Sequence, residues 1–345
     1  MLSSVQSSWQ SGAMLSKAYG IVLVAAFAAS AVVTAAGATV GTITEYPLSA
    51  SDSNPLEIVA ASDGALWFTE FNANRIGRIS TLGKISEYRV PTSGSNPRGI
   101  TAGPDGDLWF TEAAGNKIGR ITPAGKISEY RVPTSGSNPR GITTGADGNI
   151  WFTEEFGNKI GRITTGGRIT EYRVPTPGGH PDAIAAGHDG KLWFTEATGN
   201  KVGRITTGGR ITEYRVPTSG SHPYGIAAGP DQSLWFAEQD ADKIGRITTA
   251  GKFTEYPIGT RGGAPEGLTV GADGNLWFTE ENGNKIGRIT TAGMVTEYPL
   301  PRDGGAPEGI TAGADGNLWF TEEYVGKIGR ITPGPAVPSH RPRLR

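Results

Sequence analysis

The chain has 345 residues, with 32 basic and 33 acidic side chains interspersed for a net charge of −1, so neither a nucleic-acid-binding stripe nor a solvating acidic tail is present. Its length fits two average domains or one large all-β domain, and its 52 glycines and 23 prolines recur at a fixed period, as turns do. There is no cysteine, which excludes thiolate chemistry and disulfide staples.

The N-terminal residues differ in composition from all that follows. Lys17 precedes the apolar run IVLVAAFAASAVVTAA (21–36), and the small residues Ala36-Gly37-Ala38 come after it. Residues 1–38 are therefore expected to be a secretory signal peptide cleaved after Ala38, with an uncleaved anchor as the rival reading. A secreted or periplasmic place follows, with no membrane contact beyond this segment, no nucleic-acid partner, and a monomer.

From residue 39 onward the chain repeats itself. Trp67, Trp109, Trp151, Trp193, Trp235, Trp277 and Trp319 stand 42 residues apart without one insertion. Each period holds four strand-length segments rich in β-branched and aromatic residues. In the second copy these are PRGITAG (97–103), DLWFTE (107–112), NKIGRIT (116–122) and KISEYRV (126–132), with Asp105-Gly106 as the first hairpin turn. Glycine interrupts every window, so no helical solenoid fits. Four strands per period predict an all-β fold, a seven-bladed β-propeller over residues 39–333. The segment ITEY (43–46) precedes the first full blade and the last blade stops after its third strand, so the N-terminal strand is expected to close the ring. Residues 334–345, proline-rich and basic, read as a disordered tail.

Seven copies allow a comparison within one sequence. A residue needed by every blade serves the scaffold, whereas one that varies at an equivalent position is free to serve a ligand. The Trp-Phe-Thr-Glu run is scaffold, and its glutamates (Glu70 to Glu322) are expected to form an ion-pair ladder with the repeated arginines (Arg78 to Arg330). The Asp-Gly turns lack the further carboxylates of a calcium loop. Blade five carries Asp231-Gln232-Ser233 where others carry Asp-Gly.

The first strand is where the copies diverge, and in a propeller that strand lines the central channel. After its proline the residues run Leu56, Arg98, Arg140, Asp182, Tyr224, Glu266 and Glu308; before it they run Asn54, Asn96, Asn138, His180, His222, Ala264 and Ala306. Two residues apart, these positions would share one strand face and form adjacent rings at a channel mouth. Arg98, Arg140, His180, Asp182 and Tyr224 are candidate ligand-binding residues, and Glu266, Glu308 and His222 belong to the same varying rings. His188, in the adjoining turn, is grouped with the same arc. Polar residues that merely hydrate a water-filled channel are the plainer alternative.

The blade formula GADGNLWFTE, GNKIGRIT and TEYPLP closely resembles the virginiamycin B lyase (streptogramin lyase) family from Thr42 to about Thr332. The resemblance implies a propeller enzyme that linearises a cyclic depsipeptide by breaking its ester C–O bond without water, using Mg²⁺ and a histidine base. The family's Pro-His-Ala-Ile and Pro-His-Gly-Ile in the last two blades correspond here to Pro265-Glu266-Gly267-Leu268 and Pro307-Glu308-Gly309-Ile310, so both histidines are glutamates. A family glutamate falls on Ala306, another is matched by Glu323, and the family's first-blade tyrosine is Leu56. An ordinary glutamate is a weaker base than imidazole by about two pK units. Crowded carboxylates can recover part of that deficit or hold Mg²⁺, with Glu266 and Glu308 as the expected ligands. On this resemblance Glu308, Glu323 and His222 are the candidate catalytic residues. The resulting expectations are a small-molecule, peptide or sugar ligand in the channel, and either a metal-dependent lyase or a non-catalytic ligand-binding or protein-interaction propeller of the cell envelope.

Overall fold

A computed structural model describes residues 39–334. The expected signal peptide (1–38) lies outside the described residues, as does the expected tail but for Gly334. Seven antiparallel four-stranded sheets form the propeller, six of them ordered from the channel outward in chain order. In the second blade the strands are Pro97–Ala102, Leu108–Glu112, Lys117–Ile121 and Ile127–Arg131.

The seventh blade has Pro307–Ala312, Leu318–Glu322 and Lys327–Ile331, and its outer strand is Ile43–Pro47 from the start of the propeller. Ile43 faces Ile331 and Pro47 faces Lys327 across this closure. Tyr46 stacks on Trp319 at 5.4 Å, and Lys327 Nζ donates to Glu45 Oε2 at 2.6 Å. The N-terminal strand therefore joins ring closure to the same contacts that every other blade makes within itself.

The core lies between the blades. The second strand is buried at every position, and its Trp and Phe have no exposure. Phe110 covers Gly119 on the next strand so closely that a Cβ there would sit 2.1 Å from the ring. On the outer half, the tryptophan indole is stacked by the fourth-strand tyrosine and capped by the third-strand arginine. For Trp109 these are Tyr130 at 5.6 Å and Arg120 at 5.4 Å. The indole N–H is accepted by the hairpin aspartate, Asp105 Oδ1 at 3.2 Å.

This arrangement overturns the expected glutamate–arginine ladder. Register pairs Glu112 with Lys117 and Trp109 with Arg120, so the repeated arginines go to tryptophans and turn aspartates. A ladder does exist, but it uses other residues. Lys117, Lys159 and Lys201 pair with the fourth-strand Glu129, Glu171 and Glu213 at 2.7, 2.7 and 2.8 Å. These glutamates also reach the preceding blade, where Glu129 accepts from Thr92 N and Oγ1 at 2.9 Å each. The second-strand glutamates are buried instead, and among the described residues neither oxygen of Glu70, Glu112, Glu154, Glu196, Glu238 or Glu280 has a hydrogen-bond partner. In the anomalous blade-five turn, Gln232 occupies the left-handed position (φ +63°) where the other blades have glycine.

Candidate functional site

The threonine of Trp-Phe-Thr-Glu explains why one position is free to vary. Thr111 Oγ1 accepts from Gly99 N of its own blade at 2.9 Å and donates to the carbonyl of Arg140, in the next blade, at 2.7 Å. The same relay runs from Thr69 to Arg98, Thr153 to Asp182, Thr195 to Tyr224, Thr279 to Glu308 and Thr321 to Leu56. Six of the seven variable residues are thus held by their backbone oxygens while their side chains reach the channel cavities. Blade five has Ala237 in place of this threonine, so the Glu266 carbonyl has no such bond.

All seven variable residues reach channel cavities. A deeper cavity of about 120 Å³ is lined by Glu57, Arg98, Arg140, Asp182, Tyr224 and Glu308, above a layer of first-strand isoleucines. A mouth cavity of about 210 Å³ is lined by Asn54, Leu56, Phe71, Arg98, Tyr224, Glu266, Glu281, Glu308, Glu323 and Tyr324. Tyr224 crosses the channel between them. Its Oη accepts from Arg98 Nη2 at 2.5 Å and from Arg140 Nη2 at 2.7 Å. Arg140 also pairs with the buried Asp182, and with Glu155 at 3.3 Å. Arg98 Nη2 lies 3.5 Å from Glu308 Oε1.

The histidines are not part of this cluster. His180 and His222 precede the first-strand prolines in left-handed backbone (φ +52° and +51°), so the shared-face argument, which assumes extended backbone at both positions, does not apply to them. Both line neither cavity: His180 Nδ1 lies 3.9 Å from Glu155, and His222 Nδ1 lies 3.6 Å from Asp240. His188 follows the far end of its strand, with Nε2 2.9 Å from the Gly229 carbonyl. Of the pre-proline ring only Asn54 lines the mouth cavity, and it donates to Glu323 Oε1 at 2.9 Å.

Burial sets the electrostatics of the carboxyls. It pushes Glu308 up to about 8 against the pull of Arg98, with Glu323 and Glu57 nearby adding to the rise. Burial, then Glu308 and Glu281, hold Glu266 well above the usual carboxylate range. Glu323 is raised by burial against its bond from Asn54. The site therefore carries one carboxyl, Glu308, at least as basic as an ordinary imidazole, beside two further carboxyls raised by burial and near the Arg98 guanidinium.

As placed, these side chains do not fit a divalent cation. Among the described residues no three His, Cys, Asp or Glu side chains gather as metal ligands. Glu266 Oε1 accepts from Gln239 Nε2 at 2.5 Å, Glu323 is engaged by Asn54, and Arg98 already serves as counter-charge to Glu308.

Several cavity-lining residues lie outside the two rings compared on the first strand. Glu57 projects into the channel from a position that is Gly or Ala in the other six blades. The residue after the second-strand glutamate varies as freely, as Phe71, Ala113, Glu155, Ala197, Gln239, Glu281 and Glu323. Comparing copies at that position as well would have found most of the mouth.

The virginiamycin B lyase family model matches residues 33–217 and again 177–341. Among solved structures, virginiamycin B lyase from Staphylococcus aureus is 46% identical, with TM-score 0.81, over 84% of this chain and 99% of its own. Its catalytically inactive histidine-to-alanine variant with quinupristin matches to the same extent. A streptogramin B lyase structure is 42% identical, with TM-score 0.82, over 85% of this chain and 98% of that one. No curated protein matches.

Proposed function

This chain belongs to the virginiamycin B lyase family, and we propose that it is an exported member that binds a small polar ligand, peptide-like or sugar-like, at the mouth of its channel. One observation carries the reading. A scaffold repeated almost unchanged in seven blades places its freely varying side chains together around two cavities that share Arg98, Tyr224 and Glu308, and five of the seven are charged and at least partly buried. Buried charges cost stability unless they are paired or used, and the scaffold itself needs none of these.

A second reading, C–O lyase chemistry, is favoured by Glu308. Quinupristin accompanies a histidine-to-alanine variant of the S. aureus lyase that is catalytically inactive. The two family histidine positions are Glu266 and Glu308 here. Glu308, with its pKa near 8, is a base comparable to imidazole once ionised. Its carboxylate would take a proton from the carbon beside the one bearing the ester oxygen. The C–O bond then breaks, its electron pair leaves with the oxygen as a carboxylate near Arg98, and a C=C bond remains. No water is consumed.

Incubation with a cyclic depsipeptide of the streptogramin B class tests this directly. Elimination yields a linear product of unchanged mass, whereas hydrolysis adds one water. The rate should rise with pH through about 8, because the active base is ionised Glu308, and Glu308→Gln should lose about 100-fold or more. An intact ring, or equal turnover by the variant, would leave the binding reading alone.

A further inference from the structure

We propose that the acidic side of the mouth is a seat for a primary ammonium group on an organic ligand, held by Glu266, Glu281, Glu308 and Glu323 and walled by Phe71 and Tyr324. The proposal rests on the reading of the mouth as a ligand site and names the chemistry of what it binds.

The argument is a shortage of donors. Four carboxyl side chains line one cavity of about 210 Å³, and Arg98 is the only cationic side chain that lines it with them. Arg98 already donates to Tyr224. The other donors are neutral and single: Gln239 to Glu266, Asn54 to Glu323, and Tyr324 Oη to Glu281 at 3.2 Å. Glu308 is the telling group. It is 6% exposed, lines the cavity and accepts no hydrogen bond among the described residues. Arg98 Nη2, 3.5 Å from Oε1, supplies charge but no hydrogen bond, so the carboxyl that lines the cavity still lacks a donor.

An ammonium group supplies what is missing. It brings three donors on one compact charge, and a carboxylate cluster needs no fixed geometry to receive them. Mg²⁺ demands near-octahedral oxygen ligands at short range, which these side chains do not assemble. The walls also suit an organic cation. Phe71 lines the cavity and Tyr324, 62% exposed, stands at its edge, so the methylene next to the ammonium meets aromatic surface. The opposite side of the mouth, with Arg98 and Tyr224, is left for an acceptor on the same ligand.

Calorimetric titration of the purified protein tests this, using cadaverine, lysinamide and glucosamine, each beside its fully N-acetylated form. At least one free amine should bind saturably, acetylation should weaken it tenfold or more, and a Glu281→Gln, Glu323→Gln double variant should weaken it comparably. Both substituted residues are only partly buried, and a Tm within about 2 °C of the parent confirms that the variant is folded. The preferred probe tells a polyamine, a peptide amine or an amino sugar apart as the source. Binding by no free amine, or equal binding of the acetylated forms, overturns the ammonium seat. If acetylated probes bind and are lost on Arg98→Ala, the mouth remains a ligand site for something other than an amine.

Discussion

Raising the pH from 5 to 9 lowers the Tm of this propeller by more than about 10 °C, although each blade keeps its tryptophan core. The cause is the row of second-strand glutamates. Burial first, then a neighbouring fourth-strand glutamate, push Glu70, Glu112 and Glu154 up to about 8. Burial likewise places Glu196, Glu238, Glu280 and Glu322 at about 7. All are raised above the ordinary value of 4.5, so the folded protein keeps protons that the unfolded chain gives up. Their contribution is fully present below pH 4.5 and is lost as pH rises through 7 to 8.

The outer ladder works in the opposite direction. Burial of Glu129, Glu171, Glu213, Glu255 and Glu297 is outweighed by their lysine and threonine partners, which leaves them below 4.5. They stabilise above that value and fail only as pH falls through their lowered pKa. Maximum stability is therefore expected in mildly acidic solution. Glu154→Gln keeps the shape and removes the charge, so it should raise Tm at pH 9 and leave it almost unchanged at pH 5. A flat or rising Tm between pH 5 and 9, measured by thermal unfolding, would show that these carboxyls find partners.

Removal of the N-terminal strand is expected to abolish cooperative folding. A chain that starts at residue 49 would expose the Lys327–Ile331 edge, uncover Trp319 and strip Lys327 of Glu45. An unpaired strand edge beside exposed tryptophan invites association between chains. Tyr46→Ala isolates one part of this closure and should cost about 3–5 kcal/mol, the usual range for deleting a packed aromatic ring. Denaturant unfolding measures it. Addition of a peptide spanning residues 39–50 to the truncated chain should restore part of the transition, because strand pairing needs no covalent link. A truncated chain that unfolds as cooperatively as the parent would mean that the seventh blade stands without its fourth strand.

The fold was legible because the 42-residue period, the hairpin turns and the displaced ITEY segment are each visible in the letters. The family was legible for the same reason. Side-chain pairing was harder to read. The short turn between Glu112 and Lys117 fixes those two as partners and thereby sends Arg120 to Trp109, a register that the mere equality of repeated Glu and Arg conceals. Arg98, Arg140, Asp182, Tyr224, Glu266 and Glu308 line the channel cavities, a placement legible in their variation among near-identical blades. His180 and His222 were drawn in by assuming extended backbone. The asparagines at equivalent positions were the overlooked sign of a left-handed turn, which Asn adopts readily. Glu323 is legible only through the family resemblance, and Phe71, Gln239 and Glu281 stand in the turn after the second strand, outside the first-strand rings.

The proposed occupant of the acidic mouth is an organic ammonium group and not a divalent cation, since Gln239 and Asn54 each give one neutral donor to Glu266 and Glu323 and the carboxyls do not gather as metal ligands. Titration of Mg²⁺ and Mn²⁺ into the purified protein by calorimetry, beside a Glu266→Ala, Glu308→Ala double variant, tests it most directly. The account predicts no saturable heat that distinguishes the two proteins. Saturable binding of either ion, lost in the double variant, would contradict it and place a cation among those carboxylates.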